Sequence, residues 1–174
     1  MKKILFLLVT CIFIFASCGD EKQFDEDLRD AYHKTGKTFI ASRYICVQIS
    51  ETWRKAIYER VTPSGKSCDD FNEALAELFT QYRDSGYFDS ISNYKESMQI
   101  ATSKLNNPPY KRKDCYYDFV NIVSDVSSMA RMANDPSGTY EKYSNKVTET
   151  AEQISNEIDL FRIHYAQFFI EKDK

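Results

Sequence analysis

Apolar residues recur every three to four positions along four long stretches of the chain, which is the spacing of one face of an α-helix. The last stretch is the most regular, and its apolar stripe covers about eight helical turns. The stripe consists of Tyr140, Tyr143, Val147, Ala151, Ile154, Ile158, Phe161, Tyr165 and Phe168. The first stretch has a comparable stripe of Phe24, Leu28, Thr35, Phe39, Cys46, Ile49, Trp53, Ile57 and Val61.

The two middle stretches have the same helical spacing. The third stripe consists of Tyr116, Phe119, Val123, Val126 and Ala130. The second begins with Phe71, Leu75, Leu78 and Tyr82, and it resumes with Phe88, Ile91, Tyr94, Met98 and Leu105. Its phase slips near Ser85 and Gly86, so the sequence predicts a kink or a break there.

Proline and glycine cluster between the stripes, at 62–65, 106–109 and 135–138, which marks turns. The sequence therefore predicts an all-α fold. We expect an antiparallel up-down bundle of four long helices, or of five if the second helix is broken near Gly86. In that topology the start of the first helix, the 106–114 turn and the C-terminus share one end. The turns at 62–67 and 134–139 share the other end.

The first residues have the pattern of a secretory signal peptide. Lys2 and Lys3 precede an almost unbroken apolar run of 13 residues, from Ile4 to Ala16. A membrane-spanning helix needs about 20 residues, so this run is too short to be one. We expect residues 1–17 to be removed.

The sequence Phe15-Ala16-Ser17-Cys18 resembles the lipobox of bacterial lipoproteins, although that family most often has Leu in the place of Phe15. The resemblance implies cleavage before Cys18 and a diacylglycerol on its thiol, with Cys18 an ordinary thiol as the alternative. It also implies the outer membrane of a Gram-negative cell, because Gly19 is not the inner-membrane retention aspartate. Asp20, Glu21 and Lys22 resemble a surface-export tag, which extends the expectation to the cell surface.

This interpretation divides the chain into a signal peptide (1–17), a lipid-anchored tether (18–23) and one helical-bundle domain (24–174). The composition has 12 Tyr, 12 Phe, 5 Gly and 4 Pro, which is typical of a folded domain and not of a disordered segment. The formal charge of −3 becomes −5 when residues 1–17 are removed with their two lysines. This acidic balance argues against nucleic acid as a partner.

The turn after the first helix ends in Gly65-Lys66-Ser67, as a phosphate-binding loop does. Such a loop also needs a glycine five positions before Gly65, where this chain has Arg60, and it needs a preceding strand. Both requirements fail, so we predict a helix–helix turn and no nucleotide site. Ser67 is the expected N-cap of the second helix.

Candidate chemistry is sparse elsewhere. Cys46, Cys68 and Cys115 belong to different levels of the bundle, so we predict no intramolecular disulfide. His33 and His164 are expected in one layer, with Asp30 three residues before His33. Di-iron bundles use paired Glu-x-x-His motifs, which this arrangement does not complete. We therefore predict no metal, although these three residues come nearest to a metal or haem site.

Nothing places a Ser or Cys beside a histidine, so we predict no enzymatic activity and no cofactor. The first functional hypothesis is a membrane-tethered lipoprotein of the immunity, adhesion or complex-accessory type that binds a partner protein. Its expected contacts lie at the membrane-distal end, at Lys66, Thr139 and Tyr140. The alternative is a small-ligand protein that binds a glycan, haem or a metal in an aromatic cleft between helices.

The membrane-proximal end carries a basic and aromatic patch. The patch comprises Tyr110, Lys111, Arg112 and Lys113. Its cations and its tyrosine suit anionic lipid headgroups, whereas a solvated turn is the alternative.

Overall fold

The computed structural model describes the backbone of residues 2–169 and the side chains of residues 20–169. It contains five α-helices: α1 (Lys2–Tyr58), α2 (Phe71–Asp84), α3 (Tyr87–Ser103), α4 (Lys113–Asn134) and α5 (Tyr140–His164). Short 3-10 helices precede α4 at Tyr110–Arg112 and follow α5 at Ala166–Phe168. The predicted all-α bundle is confirmed.

The second predicted helix is broken, as the phase slip indicated. The α2 helix ends at Asp84, and Gly86 adopts a left-handed conformation with φ of 73° before α3 begins. Residues with a Cβ rarely adopt this conformation, so glycine is suited to the position. The rings of Tyr82 and Tyr87 face each other across the break, with centroids 5.2 Å apart.

Aromatic pairs along α1 show the direction of α2 and α3. Phe71, at the start of α2, lies 5.5 Å from the ring of Trp53 near the end of α1. Tyr87, at the start of α3, lies 6.0 Å from the ring of Tyr44. The two helices therefore run consecutively and antiparallel along α1, as one broken helix of an up-down bundle.

The α4 helix runs parallel to α1, and α5 returns antiparallel to α4. The guanidinium of Arg112, just before α4, contacts Asp25 of α1, and the thiol of Cys46 contacts the carbonyl of Met129 farther along both helices. Since α1 contacts each of the other four helices, it is the central element of the bundle.

The predicted inner stripes agree with the buried residues at most positions, but Phe71 and Tyr94 of the second stripe are exposed. On α1, Phe24, Leu28, Thr35, Phe39, Cys46, Ile49 and Trp53 are all buried. Ile57, predicted to belong to this stripe, is exposed instead. Ala56 takes the inward position at this level, because it packs with Cys68 and Ala74 against the start of α2.

The turn between α1 and α2 differs from its prediction in one detail. Val61 and Ser67 pair as an isolated β-bridge, and the amide of Thr62 donates to the carbonyl of Lys66 at 2.8 Å. Asp70 caps α2 by accepting from the amide of Asn72 at 2.9 Å. The prediction of Ser67 as the cap was wrong, because the hairpin places Ser67 before the helix start.

The two ends of the bundle have the predicted composition. Arg112 contacts both Asp25 of α1 and the ring of Phe168, so the 106–114 turn joins the start of α1 and the C-terminal segment. At the other end, the rings of Tyr58 and Tyr140 lie 6.2 Å apart. Residues 20–23, assigned above to the tether, are helical and continuous with α1.

The predicted signal peptide and the side chain of Cys18 lie outside the part that the structure describes in full. Among the described residues, no helix has both the length and the apolar character that crossing a membrane requires.

Candidate functional site

One side of α1 carries large apolar side chains that the other helices leave largely or partly exposed. Ile40, Tyr44 and Val47 are exposed, and their spacing of four and three residues places them in one row along the helix. We name this row the α1 ridge. Exposed apolar side chains are ordinary singly, but a contiguous row on a helix face is typical of a contact surface.

A groove of about 410 Å³ lies on one side of the ridge, between α1 and α3. Its lining is mostly apolar and aromatic: Lys37, Ile40, Ala41, Tyr44, Tyr87, Ser90, Ile91 and Tyr94. The break at Gly86 contributes directly to this lining, because it begins α3 where Tyr87 can stack on Tyr44, with an interplanar angle of 26°. We name it the α1–α3 groove.

The tyrosines of this groove are backed by the core. Tyr82 of α2 is buried, and burial raises the pKa of its phenol, with Tyr44 and Tyr87 raising it further. The rings of Tyr82 and Tyr87 lie 5.2 Å apart, so the buried Tyr82 supports the exposed ring of Tyr87 from the core side.

A second groove of about 350 Å³ lies on the other side of the ridge, between α1 and α5. It is more polar, and its lining includes Arg43, Thr148, Glu152 and Asn156. The ridge is thus an apolar strip with a polar margin, which is the usual anatomy of a protein–protein contact.

The two cations beside the ridge form no ion pair in the part of the chain whose side chains the structure describes. Among residues 20–169, neither Lys37 nor Arg43 takes part in a salt bridge. The chain as a whole is acidic, with a formal charge of −3. On the α1–α3 side, Lys37 therefore offers a positive charge that a binding partner can complement, whereas Arg43 shares its groove with Glu152.

The predicted membrane-proximal patch is only partly available to a ligand. Arg112 makes a two-point ion pair with Asp25, at 2.8 Å and 3.0 Å, and its guanidinium lies 4.8 Å from the ring centroid of Phe168. Lys111 contacts Glu21 at 3.4 Å but remains largely exposed. Lys113 lies over the ring of the exposed Tyr110, 5.7 Å from its centroid. Arg112 is thus a structural residue, whereas the other three remain at the surface.

The distal-end candidates lie at the predicted end but are partly engaged. Lys66 is exposed in the hairpin turn. Thr139 caps α5 by accepting from the amide of Lys142 at 3.4 Å. Tyr140 is half-buried and packs against Tyr58. Two of the three residues therefore have a role in the fold.

The hairpin that resembles a phosphate-binding loop contacts a carboxylate of the chain itself. The amide of Ser64 donates to Glu77 of α2 at 2.7 Å. Burial raises the pKa of Glu77, but hydrogen bonds from Ser64 and Thr62 outweigh it, so the net shift is downward. An ionised Glu77 engages the amide that a phosphate would need, in agreement with the predicted helix–helix turn.

The histidines do not converge on a site. His33 and His164 are both exposed, and Asp30 is engaged by Lys34 at 2.8 Å. Within residues 20–169, no three His, Cys, Asp or Glu side chains come close enough together to hold a metal ion.

The three cysteines of the described region are free and buried. Burial raises the pKa of Cys46 to about 11 and that of Cys115 to about 12. Thiolates are the reactive form of cysteine, so neither thiol is prepared for nucleophilic chemistry at neutral pH. The thiol of Cys46 instead lies 3.7 Å from the carbonyl oxygen of Met129.

The α1 ridge was missed from the sequence. Its signal was present, because Ile40, Tyr44 and Val47 have helical spacing beside the inner stripe of the same helix. Comparisons of the chain with family models, with curated proteins and with solved structures found no match.

Proposed function

We propose that the protein is a lipoprotein, anchored to the outer membrane through Cys18, whose helical bundle binds a partner protein through the α1 ridge. The observation that carries the proposal is the row of Ile40, Tyr44 and Val47, exposed at helical spacing between two grooves. The lipobox resemblance at Phe15–Cys18 supports the anchor.

The ridge and its grooves define the chemistry of the partner. A partner helix that lies in the α1–α3 groove would bury Ile40 and the rings of Tyr44 and Tyr87, and such central aromatic contacts dominate binding energy. Carboxylates on the partner would meet Lys37 and Arg43. The proposed ligand is therefore an amphipathic segment with apolar anchors and an acidic margin.

The proposed orientation follows from the position of the anchor. The part of α1 whose side chains are described begins at Asp20, two residues after Cys18, and lies at the same end as the 106–114 turn. Tyr110, Lys111 and Lys113 would then face the bilayer. Residues 20 to 40 are helical, and a helix rises about 1.5 Å per residue, so the ridge begins about 30 Å from that end. An upright bundle would present the ridge to a partner without steric interference from the membrane.

A small-ligand function is the second candidate, and the α1–α3 groove favours it. Its volume of about 410 Å³ lies within the range of about 300–1,000 Å³ for small-molecule sites. Tyr44, Tyr87 and Tyr94 offer aromatic faces on which sugar rings stack. A glycan is the proposed ligand in this case, because no histidine or carboxylate lines the groove.

Capture from the native envelope tests the first candidate. The lipidated protein is isolated in mild detergent, and co-purifying proteins are compared between the wild type, Ile40→Asp and Ile163→Asp. Ile163 of α5 is 71% exposed and Ile40 is 70% exposed, so the control is matched in burial. We expect a stoichiometric partner that Ile40→Asp loses and Ile163→Asp retains. Equal recovery with all three proteins would contradict the proposal.

A glycan screen separates the two candidates. Ligands that bind only the native state raise the melting temperature. A stabilising glycan whose effect is lost in Tyr44→Ala and Tyr87→Ala would support the second candidate.

A further inference from the structure

A third groove, on a different face of the bundle, is lined by cations and hydroxyl groups. It lies between α3 and α4, has a volume of about 360 Å³, and no acidic residue lines it. Its lining residues are Lys95, Gln99, Ser124, Ser127, Ser128 and Arg131. Such a composition is unusual on a chain whose formal charge is −3.

The two cations of this groove lack an acidic partner among the side chains that the structure describes. Lys95 is half-buried between the helices, yet neither Lys95 nor Arg131 takes part in a salt bridge in residues 20–169. A partly desolvated cation without a counter-charge attracts anions more strongly than a fully solvated one does.

The hydrogen-bond pattern leaves donors directed at the groove. Ser128 accepts from a guanidinium nitrogen of Arg131 at 3.1 Å, so its own O–H remains free to donate. Ser127 differs, because its O–H donates to the carbonyl of Val123 at 2.7 Å. The available donors are therefore the hydroxyls of Ser124 and Ser128, the amide of Gln99, the ammonium of Lys95 and the remaining guanidinium N–H groups.

We propose that the α3–α4 groove binds a phosphate or sulfate group. A tetrahedral oxyanion offers several acceptor oxygens and at least one negative charge, which matches a lysine, an arginine and two free hydroxyls. A carboxylate has only two oxygens and would leave donors unused. The same chemistry is presented by a free inorganic ion and by a phosphorylated or sulfated glycan.

The position of the groove favours a ligand from solution over a lipid headgroup of the protein's own membrane. Met129 of α4 lies at the level of Cys46 on α1, as their contact shows. Cys46 follows Asp20 by 26 helical residues, which corresponds to about 39 Å along the axis. In the orientation proposed above, the groove faces sideways and well away from the bilayer surface.

Equilibrium dialysis tests the site with the full mature lipoprotein in non-ionic detergent. Radiolabelled inorganic phosphate is the probe, chloride keeps the ionic strength constant, and unlabelled sulfate and a sulfated disaccharide are competitors. The test variant is Lys95→Gln with Arg131→Gln. The control variant is Lys142→Gln with Lys146→Gln, which removes the same charge from exposed positions on α5. Circular dichroism confirms that both variants remain folded.

We expect saturable binding of one phosphate per chain, weakened about tenfold or more in the test variant and unchanged in the control. Competition by sulfate supports an oxyanion site, and stronger competition by the sulfated disaccharide identifies a glycan as the source. Equal binding by the two variants would overturn the proposal. A second result would also overturn it. If the protein binds no phosphate but floats with phosphatidylglycerol vesicles, and this flotation depends on Lys95 and Arg131, the groove binds a lipid surface instead.

Discussion

Arg112 and Asp25 form a two-point ion pair across 87 residues of sequence, with Nε–Oδ1 and Nη2–Oδ2 distances of 2.8 Å and 3.0 Å. The pair joins the turn before α4 to the part of α1 around Asp25. Phe168 covers the guanidinium from the C-terminal side, so one side chain joins three segments at this end of the bundle. Bidentate pairs of this kind are the stronger ones, because both N–H groups are aligned with both oxygens.

We expect Arg112→Ala to lower the free energy of unfolding by about 2 kcal/mol, because it leaves the half-buried Asp25 without its partner. Lys111→Ala is the control. The side chain of Lys111 is 72% exposed and that of Arg112 is 20% exposed, so we expect a change within about 0.5 kcal/mol for the control. Urea denaturation measures both. Equal effects of the two substitutions would show that the ion pair does not stabilise this end.

Alanine substitutions at two glycines without close neighbours, Gly86 and Gly36, should change the stability in opposite directions. At both Gly86 and Gly36, the position that a Cβ would take has no other side chain or distant backbone atom within 4 Å, but only Gly86 has a positive φ. Gly86→Ala should therefore destabilise the protein by about 1–2 kcal/mol. Gly36→Ala, inside α1, should stabilise it by about 0.5–1 kcal/mol. Thermal unfolding gives both values, and stabilisation by Gly86→Ala would contradict the break as described.

The fold was predictable because helical periodicity depends on local sequence. The phase slip at Ser85 and Gly86 was visible as a change of stripe, and the structure places the break there. The Arg112–Asp25 pair was not predictable, because partners 87 residues apart meet only through the packing of α1 and α4. The identity of the α2 cap, Asp70 and not Ser67, also depends on the hairpin at 61–67, and the spacing of apolar residues does not predict that hairpin.

The candidate site was less predictable than the fold. The sequence indicated that apolar residues exist on α1 but not which of its faces the bundle leaves uncovered. Ile40 and Tyr44 are exposed because α3 and α5 pack on either side of them, as the two grooves show. The distal-end candidates came from turn positions alone, and Thr139 is the cap of α5.

Glu157 of α5 is expected to make the stability of the protein depend on pH, and a single substitution can separate its contribution from that of the other carboxylates. Its Oε2 atom is buried and accepts no hydrogen bond among the described residues, while Gln153 joins Glu157 to Asp125 at 3.0 Å and 2.7 Å. Burial raises the pKa of Glu157; the hydrogen bond from Gln153 opposes this rise, and Asp125 adds to it. The unfolded chain therefore releases the proton of Glu157 at a lower pH than the folded protein does.

The stabilising contribution of protonated Glu157 is full below about pH 4 and is lost as the pH rises through the raised folded-state pKa. The Glu157→Gln variant carries a neutral side chain at every pH, so it does not lose stability as the pH rises. We therefore expect its melting temperature to exceed that of the wild type at pH 7 and to equal it near pH 4. Glu149→Gln, at an exposed position of α5, makes the same charge change and should show no such gain. A gain of equal size at both pH values would contradict the assignment.

The proposed lipid anchor is testable, because Cys11 of the predicted signal peptide serves as a control for Cys18. We expect Cys18→Ser to abolish incorporation of labelled palmitate and to move the protein from the membrane fraction to the soluble fraction. Cys11→Ser should leave both unchanged, because the apolar run before Cys11 is too short for a lipobox. Labelling that depends on Cys11, or on neither cysteine, would contradict anchoring at Cys18.

Site-specific photo-crosslinking in intact cells gives the sharpest test of partner binding by the α1 ridge. A photoreactive phenylalanine analogue replaces Ile40 in one strain and the equally exposed Ile163 in another. We expect a discrete higher-mass adduct from position 40 that contains a second protein and that disappears when Tyr44→Ala and Tyr87→Ala are added. An absence of adducts at position 40, or the same adduct from both positions, would contradict binding through the ridge.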